Sequence, residues 1–508
     1  MLQRTININF AVPNFNILTK IKLNFMTKQV YENSLKLWIE DEKAAIDLIG
    51  VIGKLWFDKS VELIIFRNQM VDRSASELLH LHHYSREVVK HPLSIHDTLA
   101  LAKALQRLQL APARIDIGKL GVQWLDEKSN FIDEMDFVSK KLKDFIGRDK
   151  INIKPKDVIL YGFGRIGRIA ARELITQAGK GEQLRLRAIV TRDKNPEDIE
   201  KRADLLRSDS IHGGFPGTVM SDLENKCIWV NGHKVHMINA SNPEDIDYTQ
   251  FGIDDALLID NTGVFRDRDG LSRHLNSKGV SKILLTAPGK GDIPNIVHGV
   301  NNDKFDIESE TIWSAASCTT NAIVPVISVI HEALGIEKGH IETVHSFTND
   351  QNLLDNYHKK FRRGRAASMN MVITETGAES AISKVLPELS GKFTGNAIRV
   401  PTPNVSLAVL NLQLNTKTTK ADVNEIMRQA ALHGHLVEQI QYSFSNELVS
   451  SDLVGNPTSS IFDSPATIVS KDGKSVILYV WYDNEYGYTR QVIRFAKQLA
   501  GVIRLRYY

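Results

Sequence analysis

Three glycines between an apolar run and a helical run limit the possible folds most sharply. Asp157-Val-Ile-Leu-Tyr161 reads as a buried strand. Gly162-Phe163-Gly164-Arg165-Ile166-Gly167 follows at once, and Arg168-Ile-Ala-Ala-Arg-Glu-Leu-Ile continues with helical character. A strand, a glycine turn and a helix in this order are the context in which such spacing binds a dinucleotide. Gly162 allows the tight turn, Gly164 lets a pyrophosphate approach the backbone, and Gly167 lets helix and strand pack closely. The amides at the helix start then face the phosphates. The competing reading is a glycine turn without a ligand. Beyond it, the strand Leu184 to Val190 ends in Thr191-Arg192-Asp193-Lys194. An acidic residue there holds the ribose hydroxyls of NAD, whereas an arginine accommodates the 2′-phosphate of NADP. Arg192 and Asp193 are both present, so either cofactor remains open.

A chain of 508 residues is long enough for two or three domains. Its net charge of +3 gives no push toward nucleic acid or a membrane surface, and no apolar run is long enough to span a bilayer. The two cysteines, Cys227 and Cys318, imply no disulfide framework and fit a reducing cytoplasm. Cys227, in Lys226-Cys-Ile-Trp-Val, reads as an inert strand residue.

Residues 1–25 contain no acidic residue, and Asn and Thr interrupt their apolar segments. They read as a disordered leader, with Met26 as an alternative start. Residues 26–150 read as an all-helical extension. Ala45, Leu48, Ile49, Ile52, Leu55 and Trp56 recur at helical spacing. Further helices are expected over about 61–70, 74–90 and 94–109, the last opened by Ser94 with Asp97 in its first turn. His80, His82 and His83 lack the accompanying ligands that a metal site needs, and no metal is expected. The Lys- and Asp-rich stretch 140–156 reads as a linker.

The second chemical feature is Ser314-Ala-Ala-Ser317-Cys318-Thr319-Thr320-Asn321, followed by the apolar Ala322-Ile-Val-Pro-Val-Ile. This places a thiol near a helix start, where amides favour its thiolate and hence nucleophilic catalysis. A buried structural cysteine is the plain alternative.

Several motifs in order resemble phosphorylating glyceraldehyde-3-phosphate dehydrogenase. They are Tyr161-Gly-Phe-Gly-Arg-Ile-Gly-Arg168, Ser208-Asp-Ser-Ile-His-Gly213, Asn261-Thr-Gly-Val-Phe265, Thr286-Ala-Pro288 and Ala316-Ser-Cys-Thr-Thr-Asn321. Thr343-Val-His345, Arg362-Arg-Gly-Arg-Ala366, Thr376-Gly-Ala378, Arg399-Val-Pro-Thr-Pro-Asn404 and Trp481-Tyr-Asp-Asn-Glu485 continue the series. The resemblance runs from about Asp157 to the C-terminus, and the block before it is similar to that of long bacterial forms. It implies an α/β architecture: a Rossmann-like nucleotide-binding domain over 151–316 with the C-terminal helix of 485–508, and an α+β catalytic domain over 317–484. It implies Cys318 as nucleophile and His345 as its base. Cofactor contacts fall on Gly162, Phe163, Gly164, Arg165, Ile166, Gly167, Arg192, Asp193, Thr286 and Asn484. Ser317, Thr319, Thr376 and Gly377 match the inorganic-phosphate site. Thr348 and Arg399 match the site for the substrate's own phosphate, and Arg363 lies near both. On this reading Ser317 and Thr319 are phosphate ligands rather than helix caps.

The implied activity is NAD- or NADP-dependent oxidative phosphorylation of glyceraldehyde 3-phosphate in a cytoplasmic homotetramer. Thr348-Asn-Asp-Gln-Asn-Leu-Leu-Asp-Asn-Tyr357 is also similar to erythrose-4-phosphate dehydrogenase. A nucleotide-binding regulatory protein without catalysis is the remaining alternative. The basic run Lys359 to Arg365 is read as a loop near the cofactor, not as a nucleic-acid site.

Overall fold

The computed structural model describes residues 28–89, 92–147, 150–192, 195 and 197–508. The expected leader lies outside them, and so does Asp193. Contacts divide the chain into two units, 1–55 with 62–109 and 116–146, and 56–61 with 110–115 and 147–508.

The first unit is largely helical. Helix α1 spans Lys28–Lys59, α2 Ala75–Val89, α3 Ile95–Arg107, α4 Ile117–Glu127 and α5 Glu134–Lys141. Ser94 caps α3 by accepting from the His96 amide, as its position before an acidic first turn suggests. His82 is buried, its ring bonded to the Leu78 carbonyl and the Thr98 hydroxyl. The helix expected over 61–70 is absent. Val61–Ile65 is instead a strand that turns back to pair with Asn68–Gln69.

In the second unit, eight strands form a sheet. Its parallel part runs Ile312–Ser314, Val280–Leu285, Ala256–Asp260, Lys156–Tyr161, Leu184–Thr191 and His233–Asn239. Two antiparallel strands, Cys227–Val230 and Val219–Asp222, extend one edge. The central strands are apolar on both faces because both faces are covered. Helices α6 (Arg165–Thr176), α7 (Asp198–Arg207) and the short α8 (Arg268–Ser272) belong to this domain.

The C-terminal part follows with α9 (Cys318–Leu334), α10 (Ala378–Val385) and α11 (Lys420–Leu432). Its sheet centres on Ile336–Ser346, parallel to Phe393–Val400 on one side and antiparallel to Ser406–Leu414 on the other; Ser475–Tyr482 pairs antiparallel with Ser406–Leu414. Helix α12 (Tyr486–Leu499) returns to the nucleotide domain, burying Val492, Ile493 and Phe495 with Ala170, Ala171 and Leu174 of α6. A final strand, Leu505–Tyr507, pairs in parallel with 113–115. Among the described residues no helix is long and apolar enough to cross a membrane.

Candidate active site

The glycine turn is built as its spacing requires. Gly162 has φ +93°, and a side chain there would meet Thr262. A Cβ on Gly167 would lie 2.3 Å from the Gly162 carbonyl oxygen, so only glycine lets α6 close onto the turn. A Cβ on Gly164 would meet nothing within 4 Å in the chain, leaving room for a ligand. Gly164 caps α6 with no side-chain bond, so the first helical amides are not capped from within.

A cavity of about 250 Å³ opens beside this turn. Of the expected cofactor contacts, Gly162, Phe163, Gly164 and Arg192 line it, and Thr191, Arg202, Thr262 and Val264 join them. An open glycine approach, an uncapped helix start and two arginines, Arg192 after the strand and Arg202 on α7, fit a dinucleotide. Phe163 is buried in the domain core and Ile166 packs against it, so both shape the turn through packing. Arg165 lies between Asp209 and Glu485, within hydrogen-bond reach of both. His212 meets the same Glu485 at 2.9 Å. Arg165 thereby ties the start of α6 to the residue that opens α12. Thr286 donates its hydroxyl to the Asp260 carbonyl at 3.0 Å, and Asn484 accepts from Ser406 at 2.8 Å; neither lines the cavity.

Cys318 is the first residue of α9, after Ala316 at φ +54° and Ser317 as cap. Its Sγ lies 3.6 Å from His345 Nε2. His345 sits on the strand Ile336–Ser346, edge-on to Tyr482, with its ring buried. Parallel pairing sets His345 directly beside Arg399. Arg399 Nη1 lies 2.6 Å from His345 Nδ1 and donates to the Ser346 carbonyl at 2.8 Å. His345 Nδ1 is itself 2.7 Å from that carbonyl. One nitrogen cannot both donate to Ser346 and accept from Arg399, so these contacts define two tautomers. With Nδ1 protonated, Nε2 offers a lone pair to the thiol; with Arg399 donating to Nδ1, Nε2–H faces the sulfur.

Charges sharpen this picture. Burial pushes the Cys318 thiol up, while Arg399 and hydrogen bonds at the helix start pull it down. Burial, then Arg399, press His345 down to about 3. A neutral imidazole is therefore available as a proton acceptor near pH 7.

The expected phosphate ligands are spread around this pair. The Ser317 side chain accepts from the Thr320 amide at 3.0 Å, so the hydroxyl read as a ligand rather than a cap does cap α9. Thr319 bonds Tyr482 Oη at 3.0 Å. Thr376 and Gly377 immediately precede α10, with Thr376 accepting from the Ala378 amide. Arg363 is held by Asp350 and Thr374, and burial followed by Arg399 lowers its pKa. Thr348 is half-buried, two residues beyond the end of the His345 strand. Tyr482 and Thr262 are contributors that sequence reading did not single out, although both lie inside motifs it quoted. Arg202, on α7, carried no local signal.

A Rossmann-type dinucleotide cradle joined to a domain that sets a helix-start cysteine against a histidine fits the class of nicotinamide-dependent oxidoreductases. Family comparison narrows this class. Residues 156–268 match the glyceraldehyde 3-phosphate dehydrogenase NAD-binding domain, and 317–484 match the C-terminal domain of the same enzyme. A glyceraldehyde-3-phosphate dehydrogenase-like protein of Pseudomonas aeruginosa is 48% identical over 458 residues, covering 90% of this chain and 98% of that protein. Glyceraldehyde-3-phosphate dehydrogenase 2 of Bacillus subtilis is 40% identical over 348 residues, covering 68% and 96%. The Zymomonas mobilis glyceraldehyde-3-phosphate dehydrogenase is 38% identical over 347 residues, covering 68% and 99%. The chain belongs to the glyceraldehyde-3-phosphate dehydrogenase family, and its cofactor is a nicotinamide dinucleotide, NAD or NADP.

Proposed function

We propose that the chain converts D-glyceraldehyde 3-phosphate and inorganic phosphate to 1,3-bisphosphoglycerate, reducing NAD or NADP. The observation that carries this reading is the 3.6 Å approach of Cys318 Sγ to His345 Nε2, with Arg399 against the same imidazole. Cys318 adds through sulfur to the aldehyde carbon, giving a hemithioacetal. The bound dinucleotide supplies the hydride acceptor for its oxidation. His345 Nε2 takes the hydroxyl proton as the carbon–oxygen double bond re-forms. The amides at the start of α9 stabilise negative charge on the former carbonyl oxygen. A phosphate oxygen then attacks the thioester, the carbon–sulfur bond breaks, and Cys318 leaves as thiolate.

Arg399 and Thr348 hold the substrate phosphate, with Arg363 beside them. Ser317, Thr319, Thr376 and Gly377 receive the attacking phosphate. Arginine suits the first task because its planar fork matches phosphate oxygens. Thr286 and Asn484 orient the nicotinamide end, and Gly162 to Gly167 with Arg192 and Asp193 hold the rest. The nucleotide-binding domain is taken as 151–316 with 485–508, and the catalytic domain as 317–484. The enzyme works in the cytoplasm as a homotetramer, in glycolysis or gluconeogenesis.

The test is dinucleotide reduction by purified protein with glyceraldehyde 3-phosphate, with and without phosphate. Phosphate-dependent reduction with NAD or NADP is expected, with Cys318→Ser inactive but still able to bind dinucleotide. No reduction with either dinucleotide would refute the proposal. Faster turnover of erythrose 4-phosphate would reassign the substrate.

A further inference from the structure

The dinucleotide cavity lies at the C-terminal ends of parallel strands, where open α/β sheets bind their ligands. Tyr161 and Thr191 close two of these strands, and Ala240 and Thr262 follow two others. The glycine turn after Tyr161 is the pyrophosphate end of such a site, and the end of the neighbouring strand is its adenosine-ribose end. That second end carries Arg192, and Arg202 lines the same cavity from α7. Among the described residues, none that lines the cavity is acidic.

Of the parallel strands described in this sheet, only Ala256–Asp260 ends in a carboxylate, and that carboxylate is already engaged. Asp260 is fully buried. Its Oδ1 accepts from the amide and the hydroxyl of Thr262, both at 2.7 Å, and its Oδ2 lies 3.1 Å from His274 Nε2. The Val190 and Thr191 carbonyls accept from the Gly162 and Ala240 amides. The ribose end is therefore rich in donors and poor in acceptors. A guanidinium only donates hydrogen bonds, whereas a ribose 2′-hydroxyl needs an acceptor for its proton. A 2′-phosphate brings three acceptor oxygens and up to about two negative charges at neutral pH. Those oxygens match the planar donor fork of arginine.

We infer that this cavity selects the 2′-phosphorylated dinucleotide, NADP, over NAD, with Arg192 as the residue that sets the preference and Arg202 in support. The inference rests on the dehydrogenase reading proposed above and narrows its cofactor. Asp193, next in the chain, is the rival determinant, because a carboxylate at the ribose would favour NAD.

The test is calorimetric titration of the full chain, without substrate, with NADP, NAD, 2′,5′-ADP and 5′-AMP. The last two carry no nicotinamide and isolate the ribose end. NADP should bind more tightly than NAD by at least about tenfold, and 2′,5′-ADP more tightly than 5′-AMP by a similar factor. Arg192→Ser should cut the NADP-to-NAD affinity ratio by at least about tenfold, and Arg192→Asp should invert it. Arg192 is exposed, so both variants should keep the circular dichroism of the parent. NAD binding as tight as that of NADP would overturn the inference and leave the dehydrogenase reading standing. An unchanged ratio in Arg192→Ser would do the same, as would a larger change in the ratio from Asp193→Ala than from Arg192→Ser. Binding of neither dinucleotide would overturn the dehydrogenase reading and this inference with it.

Discussion

Two alanine substitutions in one turn should separate packing from ligand binding. Gly167→Ala puts a methyl group 2.3 Å from the Gly162 carbonyl oxygen. An ordinary contact needs about 1 Å more, and backbone lies on both sides, so α6 must move away from the turn. Overpacking of this kind costs about 1–3 kcal/mol. At about 2–4 °C per kcal/mol for a domain of this size, the melting temperature should fall by roughly 2–12 °C. Dinucleotide affinity should fall too, because the helix amides move with α6. Gly164→Ala differs. Its φ of −76° suits alanine, and its Cβ meets no atom of the chain. The weaker helix cap offsets the reduced chain entropy of the unfolded state, so the melting temperature should stay within about 2 °C of the parent. The methyl group instead occupies the path of the cofactor pyrophosphate, so affinity should fall by at least about tenfold, or ~1.4 kcal/mol. Scanning calorimetry and calorimetric titration with NAD and NADP measure both effects. Unchanged dinucleotide binding by Gly164→Ala would refute the assignment of this turn, as would unchanged stability of Gly167→Ala.

Arg399→Ala removes a cation that lowers the Cys318 pKa, so the thiolate fraction at pH 7 should drop and iodoacetamide labelling of Cys318 should slow by about tenfold per pKa unit. Equal labelling rates in the two proteins would show that Arg399 does not act on the sulfur. His345 and His298 are buried, with pKa values pressed to about 3 and about 4. The unfolded chain takes up these protons near pH 6.5 and the folded chain does not, so both contributions are full above pH 6.5 and fade as pH falls toward the folded values. Denaturant titrations at pH 7 and pH 4.5 should therefore show less stability in acid, by up to about 2–3 kcal/mol per histidine, with a smaller loss in His298→Asn. Ser317→Ala removes the cap of α9 and should cost about 1 kcal/mol, read as a lower denaturation midpoint.

The nucleotide-binding half was legible because its signals are local. A strand, three glycines and a helix follow one another directly, and Gly162 and Gly167 each answer a close contact while Gly164 leaves open space. The strand Val61–Ile65 was not legible, for two physical reasons. All five of its residues are buried, so the alternation that marks a half-exposed strand is missing. The turn after it uses Phe66 and Arg67 at φ +43° and +75°, rather than the Asn-Gly or Asp-Gly that announces a tight hairpin. That Ser317 caps α9 was not legible for a related reason. A serine before a helix can cap it or face a ligand, and only the 3.0 Å bond from the Thr320 amide shows that the cap is made.

The link between His345 and Arg399 lies beyond any local pattern. They are 54 positions apart in the chain, and nothing near either one names the other. Parallel register joins them, pairing His345 with Arg399 and Ser346 with Val400. A slip of one residue would turn the arginine to the opposite face of the sheet. The register is held by the apolar faces of this sheet, through residues such as Ile341, Phe393 and Leu410 in the catalytic-domain core. Hydrophobic alternation far from the thiol therefore sets whether a guanidinium stands at the imidazole. Through that contact it governs which tautomer His345 presents to Cys318.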